Sequence, residues 1–155
     1  MAAEAELNRA LRRDAVAASN AREAVLSEQS LISIVDDDQS FRDSMRRLLK
    51  SLGYAVAVFP SAAEFLASPK LAVTACLVAD VHMPAITGIE LYKQLIETGH
   101  AIPTILITAY PDDSVQKRML TDGVKCYLRK PLEEAHLIGC LRAALAGGKA
   151  PREAS

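Results

Sequence analysis

Short, almost wholly apolar runs alternate with stretches in which apolar side chains recur every three or four positions, from Leu31 to about Leu145. The runs at 31–35, 54–59, 75–80, 103–108 and 124–128 are predicted to be strands. Four of the five are apolar nearly throughout, the pattern of strands covered on both faces in a parallel sheet. Between them the period lengthens to that of a helix. Phe41, Met45, Leu48, Leu49 and Leu52 share one face of the first, and Gly53 can end it. Ser61 with Glu64 makes a capping box that opens a short second helix. Ile89, Tyr92, Leu95 and Ile96 mark a third helix; Val115, Met119 and Leu120 mark a fourth, closed by Gly123. Leu137, Leu141 and Leu145 mark the last. Five β-α units in strict alternation predict an α/β fold, a doubly wound five-stranded parallel sheet with helices on both faces.

The alternation does not extend to the chain ends. Residues 1–29 are rich in Ala, Glu and Arg and lack Gly and Pro, which favours helix. Their large aliphatics, Leu7, Leu11, Val16, Val25 and Leu26, sustain no stripe. The expected organisation is therefore an extension over 1–30, helical or disordered, one domain over 31–146, and a flexible tail over 147–155. A docked helix that covers the domain or mediates dimerisation is the alternative for the extension. A length of 155 residues leaves little room for a second domain, and 50% hydrophobic residues supply a sizeable core.

Charge and cysteine content narrow the function classes. Eighteen Lys and Arg against nineteen Asp and Glu give a formal net charge of −1, which argues against a general nucleic-acid binder or a polybasic membrane-surface protein. No apolar run is long enough to span a bilayer, and residues 1–8 carry no apolar stretch of the kind that opens a secretory signal. Cys76, Cys126 and Cys140 are odd in number and lack C-x-x-C spacing, so neither a disulfide framework nor a structural zinc site is expected, and a reducing cytoplasm is the default location. Cys126 and Cys140 can face each other across a strand and a helix, but no redox role follows from that.

Candidate chemistry gathers where ligands bind in open α/β sheets, outside the carboxyl ends of the strands. The first strand runs into Asp36-Asp37-Asp38, and the third ends in Asp80, followed by Val81-His82-Met83-Pro84. The fourth ends in Thr108, and the fifth is followed at once by Lys130-Pro131. Each group has an ordinary explanation. Asp38 suits the N-cap of the first helix, a single Asp often serves a turn, a strand Thr packs, and a Lys before Pro is usually solvated. Convergence at four strand ends of one sheet is harder to explain that way. Crowded carboxylates repel one another unless a cation neutralises them, and an oxygen-only donor set selects a hard ion such as Mg2+. Beside such an ion an aspartate can act as a nucleophile toward phosphorus, with a lysine and a hydroxyl to stabilise the transferring charge.

In their order and intervals, Val35-Asp36-Asp37-Asp38, Asp80-Val81-His82-Met83-Pro84 with Thr87-Gly88, Ile105-Leu106-Ile107-Thr108-Ala109, and Lys130-Pro131 resemble the receiver domain of two-component response regulators. The resemblance covers about 31–145. It implies a flavodoxin-like (βα)5 fold with strand order 2-1-3-4-5. It implies that Asp80 is the phosphoacceptor and that Asp37 binds Mg2+ (or Mn2+) directly. Asp36 would assist, and the backbone carbonyl of His82 would complete the ligands. Lys130 would pair with the phosphoryl group and Thr108 would move toward it, while Ala109 leaves room beside it. Tyr127 sits at the family's aromatic switch position, although a half-buried strand tyrosine describes its resting state equally well. His82 and Tyr110 sit where receivers modulate the lifetime of the acyl phosphate. The Lys130-Pro131 bond would be cis. His100 and His136 read as surface residues.

The function implied is phosphoryl acceptance from a histidine kinase or phosphotransfer protein, with a possible phosphorylation-dependent dimer through the fourth helix, fifth strand and fifth helix. The chain has no recognition helix or basic face of its own, so no direct DNA binding is expected from it, and no membrane association. A fragment of a longer regulator with a helix-turn-helix output domain fits the same residues. Two other classes remain open. A Mg2+-dependent phosphohydrolase with an aspartate nucleophile would usually carry a second Asp where His82 stands. A binding module that is never phosphorylated would be favoured by an incomplete acidic set.

Overall fold

The computed structural model describes residues 30–146. The expected extension and tail lie outside the described residues. The element order is β1 (Leu31–Val35), α1 (Gln39–Ser51), β2 (Ala55–Phe59), α2 (Ala62–Leu66), a 3-10 turn (Pro69–Val73), β3 (Thr74–Asp80), α3 (Gly88–Glu97), β4 (Thr104–Thr108), α4 (Asp113–Asp122), β5 (Cys126–Arg129) and α5 (Glu134–Leu145). All strand pairs are parallel and the order across the sheet is β2-β1-β3-β4-β5, as the sequence resemblance implied.

Local chemistry explains where the helices begin and end. The Asp38 carboxylate accepts a hydrogen bond from the Ser40 amide at 3.0 Å and caps α1. Thr87 and Glu90 form a complete capping box at α3, which the apolar pattern did not single out. Ser61 and Glu64 form only half of the expected one. The Glu64 amide donates to the Ser61 hydroxyl at 3.2 Å, but the Glu64 carboxylate meets that hydroxyl rather than the cap's backbone amide. At the end of α4 Gly123 takes φ of 116°, a left-handed turn that lets the Val124 amide return to the Met119 carbonyl at 3.0 Å. That contact is why β5 starts at Cys126 and not at Val124.

Helices sandwich the sheet. On one face Phe65 of α2, Leu91, Tyr92 and Leu95 of α3, and Met119 of α4 pack against Val35, Leu77, Ala79, Leu106 and Tyr127. On the other, Met45 and Leu49 of α1 and Leu137, Leu141 and Ala144 of α5 pack against Ile32, Ile34, Val78, Ile105 and Ile107. Both-face burial holds for β1, β3 and β4 but not for β2, an edge strand whose residues are exposed or half-buried. Two expected stripes are rotated. Ile96 and Leu120 are exposed at 48% and 41%, and Leu91 of α3 takes the inward position instead. Gly88, Leu91, Tyr92 and Leu95 lie along one helical edge, and that edge faces the sheet. His100 and His136 are exposed, as expected.

Cysteine parity misled. Cys126 of β5 and Cys140 of α5 are joined as a disulfide, with Cα atoms 6.2 Å apart, and Cys76 is left as a buried free thiol. Counting and spacing along the chain carry no information about which strand face a helix covers. The packing of α5 under β5 brings the two sulfurs together.

No helix among the described residues is long and apolar enough to cross a membrane.

Candidate functional site

The strand order reverses direction between β1 and β3, because the chain leaves β1 toward β2 on one side and returns to β3 on the other. The crevice outside the carboxyl ends of those two strands is where such sheets bind ligands. Val35 is paired with Ala79, so the next residue of each strand, Asp36 and Asp80, emerges side by side at that crevice.

One carboxylate oxygen from each of Asp36, Asp37 and Asp80 lies within 4.8 Å of the others. Asp36 is fully buried, Asp80 is buried at 6% exposure, and Asp37 is exposed at the lip. Local amides hold two of the carboxylates in place. Asp36 Oδ1 accepts from the Asp38 amide at 2.9 Å, and Asp80 Oδ1 accepts from the His82 amide at 3.1 Å. Their second oxygens share one cation. Lys130 Nζ donates to Asp36 Oδ2 at 2.7 Å and to Asp80 Oδ2 at 3.4 Å. Lys130 reaches them from the end of β5, where its peptide bond to Pro131 is cis.

The charges are unevenly compensated. Burial pushes the Asp36 carboxyl above its ordinary value, and the neighbouring Asp80 charge adds to the rise; the hydrogen bonds from Lys130 and the Asp38 amide oppose it without cancelling it. For Lys130, burial favours the neutral amine, but Asp36 and Asp80 together outweigh it and hold the ammonium above its ordinary value. The two shifts are not mirror images because Asp36 has one cation and one competing carboxylate, whereas Lys130 has two anions. One ammonium for three carboxylates leaves excess negative charge at an oxygen-only cluster. That donor set fits a hard divalent cation.

The remaining candidates lie around this bowl. Thr108 is fully buried at the end of β4, and its hydroxyl accepts from the Tyr110 amide at 2.9 Å. The rings of His82 and Tyr110 meet edge to face with centroids 5.5 Å apart, and both residues are exposed. Tyr127 is buried, and its hydroxyl accepts from the Asp112 amide at 3.3 Å, tying β5 to the start of α4.

Three contacts at the site escaped the sequence reading. The Arg42 guanidinium donates to the Asp36 carbonyl at 2.8 Å. Lys130 Nζ lies 4.2 Å from the centre of the Phe41 ring, a cation–π contact on the residue that patterning had placed only in the α1 stripe. A Cβ on Gly88 would overlap the Asp80 backbone carbonyl, so the start of α3 lies against the acidic strand end. The signal for the first two was their place in the first turn after the acidic run.

Residues 32–142 match the family model of the response regulator receiver domain. The chain belongs to that family. It is 35% identical over 116 residues to the response regulator protein TodT of Pseudomonas putida, covering 75% of this chain and 51% of that protein. It is also 35% identical over 120 residues to the transcriptional regulatory protein FixJ of Azorhizobium caulinodans, covering 77% and 57%. The chain thus spans about half the length of the curated relatives it matches. Among solved structures, the response regulator StyR superposes with a TM-score of 0.71 at 36% identity, covering 80% of this chain and 63% of that chain. The structure of FixJ-N superposes with a TM-score of 0.68 at 30% identity, covering 76% of this chain and 94% of that chain.

Proposed function

We propose that this receiver accepts a phosphoryl group on Asp80 from a histidine kinase or phosphotransfer protein and that the acyl phosphate changes what its α4-β5-α5 surface binds. The observation that carries this reading is the sharing of Lys130 between Asp36 and Asp80 beside the three-carboxylate cluster. In the step, an Asp80 carboxylate oxygen attacks phosphorus, and the bond from phosphorus to the donor's nitrogen or oxygen breaks with its electron pair going to the donor. Mg2+ or Mn2+, held by Asp36, Asp37, Asp80 and the His82 carbonyl, would neutralise charge on the carboxylates and phosphoryl oxygens. The Lys130 ammonium supplies a second positive charge and stays protonated at neutral pH. The Thr108 hydroxyl, now engaged locally, can turn toward an added phosphoryl oxygen. The space it leaves lets Tyr127 change its contact with Asp112, and β5 and α4 shift with it. His82 and Tyr110, edge to face at the rim, tune water access and hence the lifetime of the acyl phosphate.

The output follows from the same surface. Phosphorylation promotes association through α4, β5 and α5, either with a second receiver or with a partner domain. Because relatives named as transcriptional regulators are about twice as long as the match, a DNA-binding output function belongs to sequence outside this receiver. The receiver is a phosphoacceptor with self-catalysed phosphorylation and dephosphorylation, not a turnover enzyme.

Incubation with acetyl phosphate and Mg2+ followed by intact mass tests the central claim. One phosphate should be added, labile to hydroxylamine and absent in Asp80→Ala. A modification that survives that substitution overturns the assignment of Asp80.

A further inference from the structure

The geometry points to a reversible oxidation site on the output side of the receiver: a peroxide-class oxidant joins Cys126 to Cys140, and the bond clamps α5 to the strand that carries Tyr127. Three observations carry this. The Cα atoms are 6.2 Å apart, within the usual span of a disulfide, and the two sulfurs are bonded. The two residues lie on different elements, one on an edge strand and one on the last helix, so the bond constrains how β5 and α5 move against each other. Adjacent residues of a strand point to opposite faces, and here Cys126 packs on the α5 side while Tyr127 packs on the α4 side. The bond and the tyrosine therefore hold the same short strand from its two faces.

The three cysteines differ in reach. Cys126 is half-buried and Cys140 is buried at 9% exposure near the sheet edge, whereas Cys76 is fully buried in the central strand β3. Burial pushes the Cys76 thiol up to about 12, which leaves it without thiolate at neutral pH. Oxidation is thereby directed to the pair. In the first step Cys126, the more exposed, attacks one peroxide oxygen and the O–O bond breaks. The other oxygen leaves as water with the thiol proton, and Cys126 becomes a sulfenic acid. Cys140 then attacks that sulfur, the S–O bond breaks, and the oxygen leaves as a second water with the Cys140 proton. Two thiols are oxidised and one peroxide is reduced. A dithiol reductant reverses the change by exchange through a mixed disulfide.

The consequence for output rests on the proposed function, while the thiol chemistry does not. With the bond closed, displacement of β5 must carry α5 along, so the oxidised receiver resists the rearrangement that phosphorylation drives.

The full chain, treated with hydrogen peroxide or with dithiothreitol and then alkylated in denaturant, distinguishes the outcomes by intact mass. One alkyl group should be added after peroxide and three after dithiothreitol, with peptide mapping linking Cys126 to Cys140. In Cys76→Ser the counts should be zero and two. Three alkyl groups after peroxide, or labels lost only through chain–chain dimers or sulfinic acid, overturn the site. Amide exchange over 134–145 should be slower in the oxidised chain by on the order of 10- to 100-fold. Equal exchange in the two forms overturns the clamp. Asp80→Ala should give the same thiol counts as the parent chain, so a failed phosphorylation assay and a failed thiol count are separate results.

Discussion

Gly88 and Lys130 show how closely single side chains at this site are fitted. A methyl group at position 88 would overlap the Asp80 carbonyl, an immovable backbone neighbour. Gly88→Ala is expected to cost about 1–3 kcal/mol in urea unfolding, as overpacking does, and to slow acyl-phosphate formation because Asp80 must shift. Among the described residues, Lys130 is the cation that pairs with the buried Asp36 carboxylate. Removing one partner of a buried pair costs roughly 3–5 kcal/mol. Lys130 keeps 18% of its side chain in solvent, so Lys130→Gln is expected to cost less, about 2 kcal/mol in the presence of a chelator. Asp36→Asn in the same chain should recover much of that loss, which a double-mutant cycle of urea midpoints measures. Full additivity of the two substitutions would show that the ion pair is not what stabilises this corner.

Elements are positioned by their ends as much as by their apolar faces. The Thr87–Glu90 box fixes the start of α3, the element whose first residue abuts Asp80. Hydrogen bonds from the Thr87 amide and hydroxyl hold the Glu90 carboxyl below its ordinary value of 4.5. A carboxyl whose folded-state value is depressed stabilises the fold above its unfolded value, and that contribution is lost as pH falls through the folded one. The difference in stability between the parent chain and Glu90→Gln should therefore be constant near neutrality and close as pH drops below about 4.5. Urea midpoints measured in parallel at several pH values check this, and a gap that widens in acid would refute it. Thr87→Ala removes the other half of the box and should cost about 1 kcal/mol at neutral pH.

The assembled domain concentrates its unbalanced charge at one crevice. Three clustered carboxylates and one ammonium leave a net negative site, so a divalent cation that binds the folded chain and not the unfolded one must stabilise it. At about 100 times its dissociation constant Mg2+ should add roughly 2.7 kcal/mol, visible as a rise in thermal midpoint that a chelator reverses. Asp37→Asn, which removes the exposed carboxylate of the cluster, should abolish most of that rise. A midpoint that rises equally in Asp37→Asn would place the cation elsewhere.

Much of this molecule was legible in its linear pattern. Apolar runs of strand length separated by helical periods specify alternating β-α units, because each element must bury one face or both and the two periods cannot be exchanged. The acidic run after the first run, Asp80 after the third, Thr108 after the fourth and Lys130 after the fifth were readable as a rim, since parallel strands all end on the same side. Other features depend on distances through space that no spacing encodes. Packing angles decided that Leu91 and not Ile96 faces the sheet, that Phe41 lies under the Lys130 ammonium, and that Tyr127 is buried with its hydroxyl on the Asp112 amide. They also brought Cys126 and Cys140 within bonding range, a contact between an edge strand and the last helix. Periodicity fixes which face of an element is apolar, whereas the neighbour that covers that face, and the rotation at which it docks, come from the joint fit of all the elements.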